Sequence, residues 1–419
     1  MSSALDLTVS APPTAPSTTT GAPSLPEINR SVVAIAATLL LVGALWLGET
    51  VSWRQAVLLL VGGAAGLSLY HASFGFTSSW RVFLADRRGA GLRAQMLMLA
   101  LAVVLFFPLL DSGSVFGQPV KGEIGAVGYS MAFGALLFGI GMQLGGGCAS
   151  GTLYTVGGGS IRMVVTLAAF ILGSTIGVYH LPWWQSLPNI GPVSLIATLG
   201  LVPALAVNLA LFGGIVWISL VLERRRHGSV AVASRSPVSL GQRLTRGSWP
   251  LAWGAVALVA VNLATLLLAG RPWGVTSGFA LWGSKIAAGI GFDVASWRFW
   301  AAPARAQALQ ASVFADITSV MDFGIIVGAL AAAGLAGKFS PSWKVPLPSL
   351  AAAVIGGAMM GYGARLAYGC NIGAYFSGIA SGSLHGWVWF AAALVGSYVG
   401  TRLRPLFGMA VERSKLTGC

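Results

Sequence analysis

GGGCASG at residues 145–151 and YGCNIGA at residues 368–374 each close a long apolar run, and each sets one cysteine among glycines. The chain has only one other cysteine, Cys419, its final residue. A stretch as rich in glycine as 145–151 does not continue comfortably as a helix, because glycine costs backbone entropy and tolerates positive φ. The pattern predicts that a helix breaks at each cysteine and restarts, near Thr152 in the first copy and near Ala374 in the second. At membrane depth such a break leaves amide groups unpaired, which is tolerable only where protein or a ligand cavity surrounds them. A helix start also carries roughly half a positive charge, so a break is a place to receive an anion.

The surroundings of both stretches are those of a membrane protein. Of 419 residues, 56% are hydrophobic and 9% charged, with a mean hydropathy of +0.79, outside the range of an ordinary soluble domain. Apolar runs long enough to cross about 30 Å of hydrocarbon recur near 31–49, 53–70, 93–110, 127–147, 162–180, 194–222, 250–270, 316–336, 347–369 and 385–402. Two shorter pieces, 72–80 and 275–290, are interrupted by Gly and Ser and read as half-helices that dip into the protein. The fold class is therefore all-α: a polytopic membrane protein of about 9–11 transmembrane helices with short re-entrant half-helices, in contact with membrane lipid.

Lys and Arg outnumber Asp and Glu by 25 to 11. The arginines fall in short runs between apolar segments, so they read as topology signals and as a potential that favours anions, not as a nucleic-acid surface. The clusters at 81–93 and 223–246, Lys338 with Lys344, and the cluster at 402–415 all fall on one face by span counting. That face is the cytoplasmic one, and both termini share it. Residues 1–30, rich in Ser, Thr, Pro and Ala, read as a disordered tail and lack the basic start of a signal peptide. The expected division is a first transmembrane repeat at 31–222, a basic cytoplasmic linker at 223–248, a second repeat at 249–402 and a cytoplasmic tail at 403–419.

The two halves resemble each other around the quoted stretches. Gly139, Gly141, Leu144, Gly147, Cys148 and Gly151 fall on Gly361, Gly363, Leu366, Gly369, Cys370 and Gly373. After a one-residue gap, Ser160, Gly173, Ser174 and Gly177 fall on Ser383, Gly396, Ser397 and Gly400. SFGFTSSW (73–80) and GVTSGFALW (274–282) are weaker counterparts upstream. On the span count, the first cysteine-bearing span descends from outside and the second rises from inside. The repeats are thus expected to be inverted, an arrangement that places a site at the midplane.

A neutral thiol offers polarizable sulfur and a weak S–H donor, which suits a soft anion. A thiolate about 4 Å from a dianion would cost on the order of 8 kcal/mol at an effective dielectric of about 20, so the cysteines are expected to act uncharged. A reactive cysteine would need an adjacent base, and His71, His180, His227 and His385 are not spaced near either one. No cofactor or metal site is expected. Three cysteines make no disulfide framework.

The stretches GIGMQLGGGCASGTLYTVGGGSIRM and GGAMMGYGARLAYGCNIGAYFSGIASGSLHGWVW, with WGVTS upstream of the second, resemble the paired motifs of the YeeE/YedE sulphur-transport family, over most of residues 55–402. The resemblance implies import of thiosulfate or a related sulfur anion across a bacterial inner membrane, with Cys148 and Cys370 passing the anion along by S–H hydrogen bonds. Family associations suggest a further competing class, a membrane subunit that docks a small cytosolic sulfur-carrier protein on the 223–248 loop. Family members of the thiosulfate-importing kind carry a further cysteine in an early motif, where this chain has Gly75. Water or Thr77 then substitutes, or the substrate differs.

Gly147, Gly151, Gly369 and Gly373 are read as forming the site, whereas Gly139, Gly141, Gly361 and Gly363 are read as packing positions. Asn371 bonds substrate or ties two helices together; the residues favour neither. Ser150, Thr152 and Ser277 lean toward satisfying broken backbone. Arg365, inside an apolar span, is functional or snorkels to an interface. A membrane sulfur-transfer protein using a Cys persulfide is the competing class. Acidic residues are few, and none is placed deep in a span, so no proton relay is expected.

Overall fold

The computed structural model describes residues 26–231, 239–341 and 343–411. The first half runs through α1 (Arg30–Thr50), α2 (Trp53–Ala72), α3 (Phe76–Asp86), α4 (Ala90–Asp111), α5 (Tyr129–Gly145), α6 (Ala149–Gly157), α7 (Ile161–Gln185), α8 (Leu195–Leu199) and α9 (Leu201–His227). The second half comprises α10 (Leu240–Arg246), α11 (Leu251–Ala269), α12 (Thr276–Gly289), α13 (Pro303–Gln310), α14 (Ile317–Leu335) and α15 (Leu347–Leu366). A π-helical turn, Asn371–Ser377, then leads into α16 (Gly378–Ala380) and α17 (Leu384–Leu403). Among the described residues, strand is confined to two short antiparallel pairs in the loops, β1 (Ser114–Val115) with β2 (Gln118–Pro119) and β3 (Ala126–Gly128) with β4 (Asn189–Pro192).

Among the described residues, nine helical stretches are long and apolar enough to cross a membrane. Two of them, Trp53–Asp86 and Tyr129–Gly157, each join a long helix to a half-helix. The span expected at 385–402 is α17, which is not among the nine and packs along α5. Apolar side chains on the outer helices, such as Leu45 on α1 and Trp217 on α9, are 63% and 67% exposed, as a surface meeting lipid requires.

The interior is built by close helix approach. The largest helix contacts are α7 on α15, α2 on α14, and α5 on both α15 and α17. Glycine is what lets them meet: a Cβ on Gly361 would lie 2.1 Å from the Phe170 carbonyl oxygen, and one on Gly139 2.1 Å from that of Ala393. Gly141 and Gly363 face backbone at 2.7 and 2.5 Å in the same way. Small residues at helix crossings are how membrane bundles gain packing without a hydrophobic driving force.

Several expected boundaries shift. Pro26–Asn29 is held in place, with the Asn29 N–H on Gly334 O and Arg246 on Pro26 O, so ordered chain begins before residue 30. α9 continues to His227 and α10 lies within the 223–248 linker. Glu223, fully buried near the end of α9, pairs with Arg88 and Arg93 at 3.2 and 2.7 Å and so ties that end to the basic 81–93 loop. Residues 1–25, 232–238 and 412–419, with Cys419, lie outside the described residues.

Candidate functional site

Cys148 and Cys370 occupy one structural role twice. α5 ends at Gly145, Gly146 turns through φ +91°, and Cys148 becomes the N-cap of α6, its Sγ accepting from the Gly151 N–H at 3.4 Å. α15 ends at Leu366, Gly369 takes φ +148°, and Cys370 caps Asn371–Ser377, its Sγ accepting from the Ile372 N–H at 3.4 Å. The helices therefore restart at Ala149 and Asn371, ahead of the expected Thr152 and Ala374. The reason is that sulfur takes the place of the usual capping oxygen. A sulfur that accepts an N–H keeps its own S–H to give.

The end of α5 is closed by cations that the sequence did not single out. Arg162 donates to Gly145 O at 2.7 Å and Leu144 O at 2.8 Å, and Arg404 donates to Gln143 O at 2.7 Å. Guanidinium groups on free helix carbonyls complement the negative end of the helix dipole.

Both thiols are buried, Cys148 at 2% and Cys370 at 0% exposure. α6 touches the π-helical turn, and the two cysteines lie within electrostatic range of each other. Cys370 is also within range of Asp322 and Arg365. Buried polar atoms without hydrogen-bond partners include Nδ2 and Oδ1 of Asn371 and the Tyr375 hydroxyl, both on the turn that Cys370 caps, and the Thr77 hydroxyl of α3. Most buried polar groups are paired, so such atoms mark room for water or a ligand. Tyr375 packs its ring against Phe76 and Trp80 of α3 and Trp389 and Phe390 of α17.

The remaining expected residues divide between the two breaks. At the first, Ser150 Oγ lies 3.5 Å from Cys148 Sγ, and the Thr152 hydroxyl donates to Cys148 O at 2.8 Å. A Cβ on Gly147 or Gly151 would sit 3.0 Å from Met163 Cε or 3.3 Å from Cys148 Sγ. At the second, Gly373 approaches Gly274 with ordinary clearance of 3.9 Å, while Ser277 donates to the Thr318 hydroxyl at 2.9 Å. Gly75 occupies the N-cap position of α3, as Cys148 does that of α6, but offers no side-chain cap, and a Cβ there would meet Ser78 Oγ at 2.6 Å.

A cavity of about 220 Å³ reaches the backbone of Gly369 and Gly373, on either side of the Cys370 cap. Its wall carries Arg271, Arg305, Arg365, Glu123 and Ser277, and a neighbouring cavity of about 680 Å³ shares the three arginines. Arg365 donates to the Thr276 hydroxyl at 3.3 Å, so it faces the cavity wall. Burial pushes the Glu123 carboxyl above its ordinary pKa, against the opposing pull of Arg271 and Arg365. As pH falls, Glu123 is the first of these groups to lose its charge, and the wall becomes more positive. Neither cysteine lines this cavity.

Sequence reading missed Arg271, Arg305 and Glu123, whose segments meet only in the folded chain. It also missed Asp322, which lies inside the 316–336 span although no acid was placed deep in one; a lone Asp in that apolar run was the available signal.

Paired helix breaks inside a bundle of apolar helices define a multi-pass α-helical membrane protein with re-entrant elements. The chain belongs to the Sulphur transport family, whose profile matches residues 71–399. It is 33% identical over 152 residues to the Probable transporter YedE of Escherichia coli and 31% identical over 171 residues to that of Salmonella typhimurium. Those matches take in 36% and 40% of this chain and span 37% and 42% of the two relatives. It is 30% identical to the Thiosulfate transporter TsuA of Spirochaeta thermophila over 357 residues, 79% of this chain and 93% of that protein.

Proposed function

We propose that the protein imports a sulfur-containing anion across a bacterial inner membrane, with thiosulfate the substrate suggested by the TsuA relative. The observation that carries this reading is the pair of thiol caps at two touching chain breaks, one of them bordered by a cavity with three arginines. A dianion is drawn into the basic cavity and is passed to the S–H of Cys370 and then of Cys148. Asn371 and Thr77 offer unpaired donors on the way, and Thr77 stands in for the thiol absent at Gly75. Gly369 and Gly373 keep the backbone approachable beside Cys370, as Gly147 and Gly151 do beside Cys148; Thr152 holds the broken backbone at Cys148 O, Ser150 meets the Cys148 thiol, and Ser277 bonds the Thr318 hydroxyl. Since both thiols are buried, passage requires the breaks to part transiently.

A structural repeat of the two halves is supported by the packing. Exchanging α2 with α11, α4 with α14, α5 with α15 and α7 with α17 turns the α7–α15 contact into α17–α5 and the α2–α14 contact into α11–α4, and all four contacts exist. With the basic loops and both termini cytoplasmic, the arginine cavity opens outward. Reporter fusions at residues 115 and 240 test this: they are expected on opposite faces, and finding them on one face overturns the orientation.

Uptake by purified protein in liposomes, comparing labelled thiosulfate, sulfate, sulfite and selenium analogues, tests the function. Thiosulfate is expected to enter preferentially and to depend on Cys148 and Cys370. Equal, cysteine-independent uptake of sulfate would remove the argument for a soft-anion pathway.

A further inference from the structure

Asp322 sits where a carboxylate is least expected. It lies in α14 about a turn and a half from the helix start, is 0% exposed, and neither of its carboxylate oxygens has a hydrogen-bond partner. Thr318, four residues earlier, shares its face of the helix and is bonded by Arg271 and Ser277 of the cavity wall. Gly278, the next residue of α12, comes so near that a Cβ there would lie 2.9 Å from Asp322 Oδ2. Cys370 is within its electrostatic range. Asp322 thus lies one helical turn from the Thr318 hydroxyl that Arg271 and Ser277 of the cavity wall bond.

Packing does not demand an acid there. The equivalent sixth residue of α4 is Gln95, a neutral amide whose Oε1 accepts from Trp80 Nε1 at 2.8 Å. A bare carboxylate in such surroundings is expensive unless a positive charge accompanies it. Neither of the two cavities includes Asp322, and a proton needs no cavity to neutralise a carboxylate. Import also needs a companion charge: an inside-negative potential of 100 mV disfavours accumulation of a dianion by on the order of a thousandfold.

We propose that Asp322 is the proton-carrying residue of the transport cycle, taking H⁺ from the arginine cavity as the anion enters and releasing it toward the cytoplasm as the anion leaves Cys148. No bond of the anion changes. The inference rests on the import reading above. The other titratable or charged groups near it are Arg271, which bonds Thr318, Asp316 at the start of α14, Cys370 and, through it, Cys148 and Arg365. Among the helices packed on α14, α12 brings Lys285, held by the carbonyls of Leu309 and Ala311, and α6 brings Tyr154. α2 and α1 carry charged or titratable groups only near their ends, Arg54, Tyr70 and His71 on one and Arg30 and Glu49 on the other; α10 carries Arg243 and Arg246.

The test uses the full protein in liposomes, with outer pH held constant so that Glu123 is undisturbed, and inner pH raised. Thiosulfate accumulation is expected to rise roughly tenfold per pH unit for each proton carried, and a trapped pH dye should report lumenal acidification. Asp322→Asn should keep thiosulfate exchange without a gradient and lose both responses. An infrared difference spectrum on adding thiosulfate should contain a protonated-carboxyl band that Asp322→Asn lacks. An unchanged gradient response in Asp322→Asn, or a response to a sodium gradient in place of the proton gradient, overturns the proposal. If that variant does not fold, wild-type entry of thiosulfate without acidification overturns it equally. Failure of wild type to exchange thiosulfate at all sinks the import reading, a different outcome from exchange that ignores the gradient.

Discussion

Cys148→Ala is expected to reduce thiosulfate uptake by roughly 10- to 150-fold, and Cys148→Ser to retain part of it. The range follows from losing one hydrogen bond to a charged group, about 1.5–3 kcal/mol. Serine keeps both functions of the thiol, accepting the Gly151 N–H as an N-cap and donating its own hydrogen, but presents a harder and smaller atom. Alanine also forfeits the cap, at about 1 kcal/mol, so a thermal melt of each variant separates lost packing from lost conduction. Cys370→Ala and Cys370→Ser should follow the same order, because Cys370 caps its own turn in the same way. Equal loss in the Ala and Ser variants, with a labelled cysteine adduct in wild type, would favour persulfide chemistry over a neutral donor.

Gly361→Val is expected to be the most damaging single substitution away from the thiols. The site has no free volume: a Cβ would lie 2.1 Å from Phe170 O and 2.5 Å from Ser174 N, both backbone atoms of α7. Neither can rotate aside, so α7 and α15 must separate along the most extensive contact in the molecule. Overpacking a well-filled interior costs about 1–3 kcal/mol and sometimes more, and the backbone clash places this case at or above the upper end. The measurement is the fraction of detergent-extracted protein that elutes as a single sharp peak, which should collapse for Gly361→Val. Gly373→Ala should leave it unchanged, since a Cβ there meets nothing closer than 3.9 Å.

The contrast between those two glycines marks the limit of sequence reading. Both sit in aligned motifs, and composition alone distinguishes neither their clearance nor the atoms they face. What periodicity and apolar run length do carry is the helix inventory, since each span must satisfy its backbone internally in hydrocarbon. The half-helices at Phe76–Asp86 and Thr276–Gly289 were legible because Gly and Ser interrupt their apolar runs. The restart positions were misplaced because a cysteine is not an ordinary capping residue, and glycine density points to the break but not to the atom that caps it.

Asp322 illustrates the same limit at the site. Its letter was visible in the 316–336 run, yet its burial, its lack of partners and its place against Gly278 arise from the packing of α12 on α14. The sequence by itself determined an all-α membrane chain with two glycine-bounded cysteines in matching motifs, because hydropathy and helix-breaking residues act locally. Only the tertiary structure decided that the two cysteines cap touching breaks and that three arginines from separate segments share one cavity. Those arrangements depend on which helix backbones can approach one another, and that is settled between residues far apart in the chain.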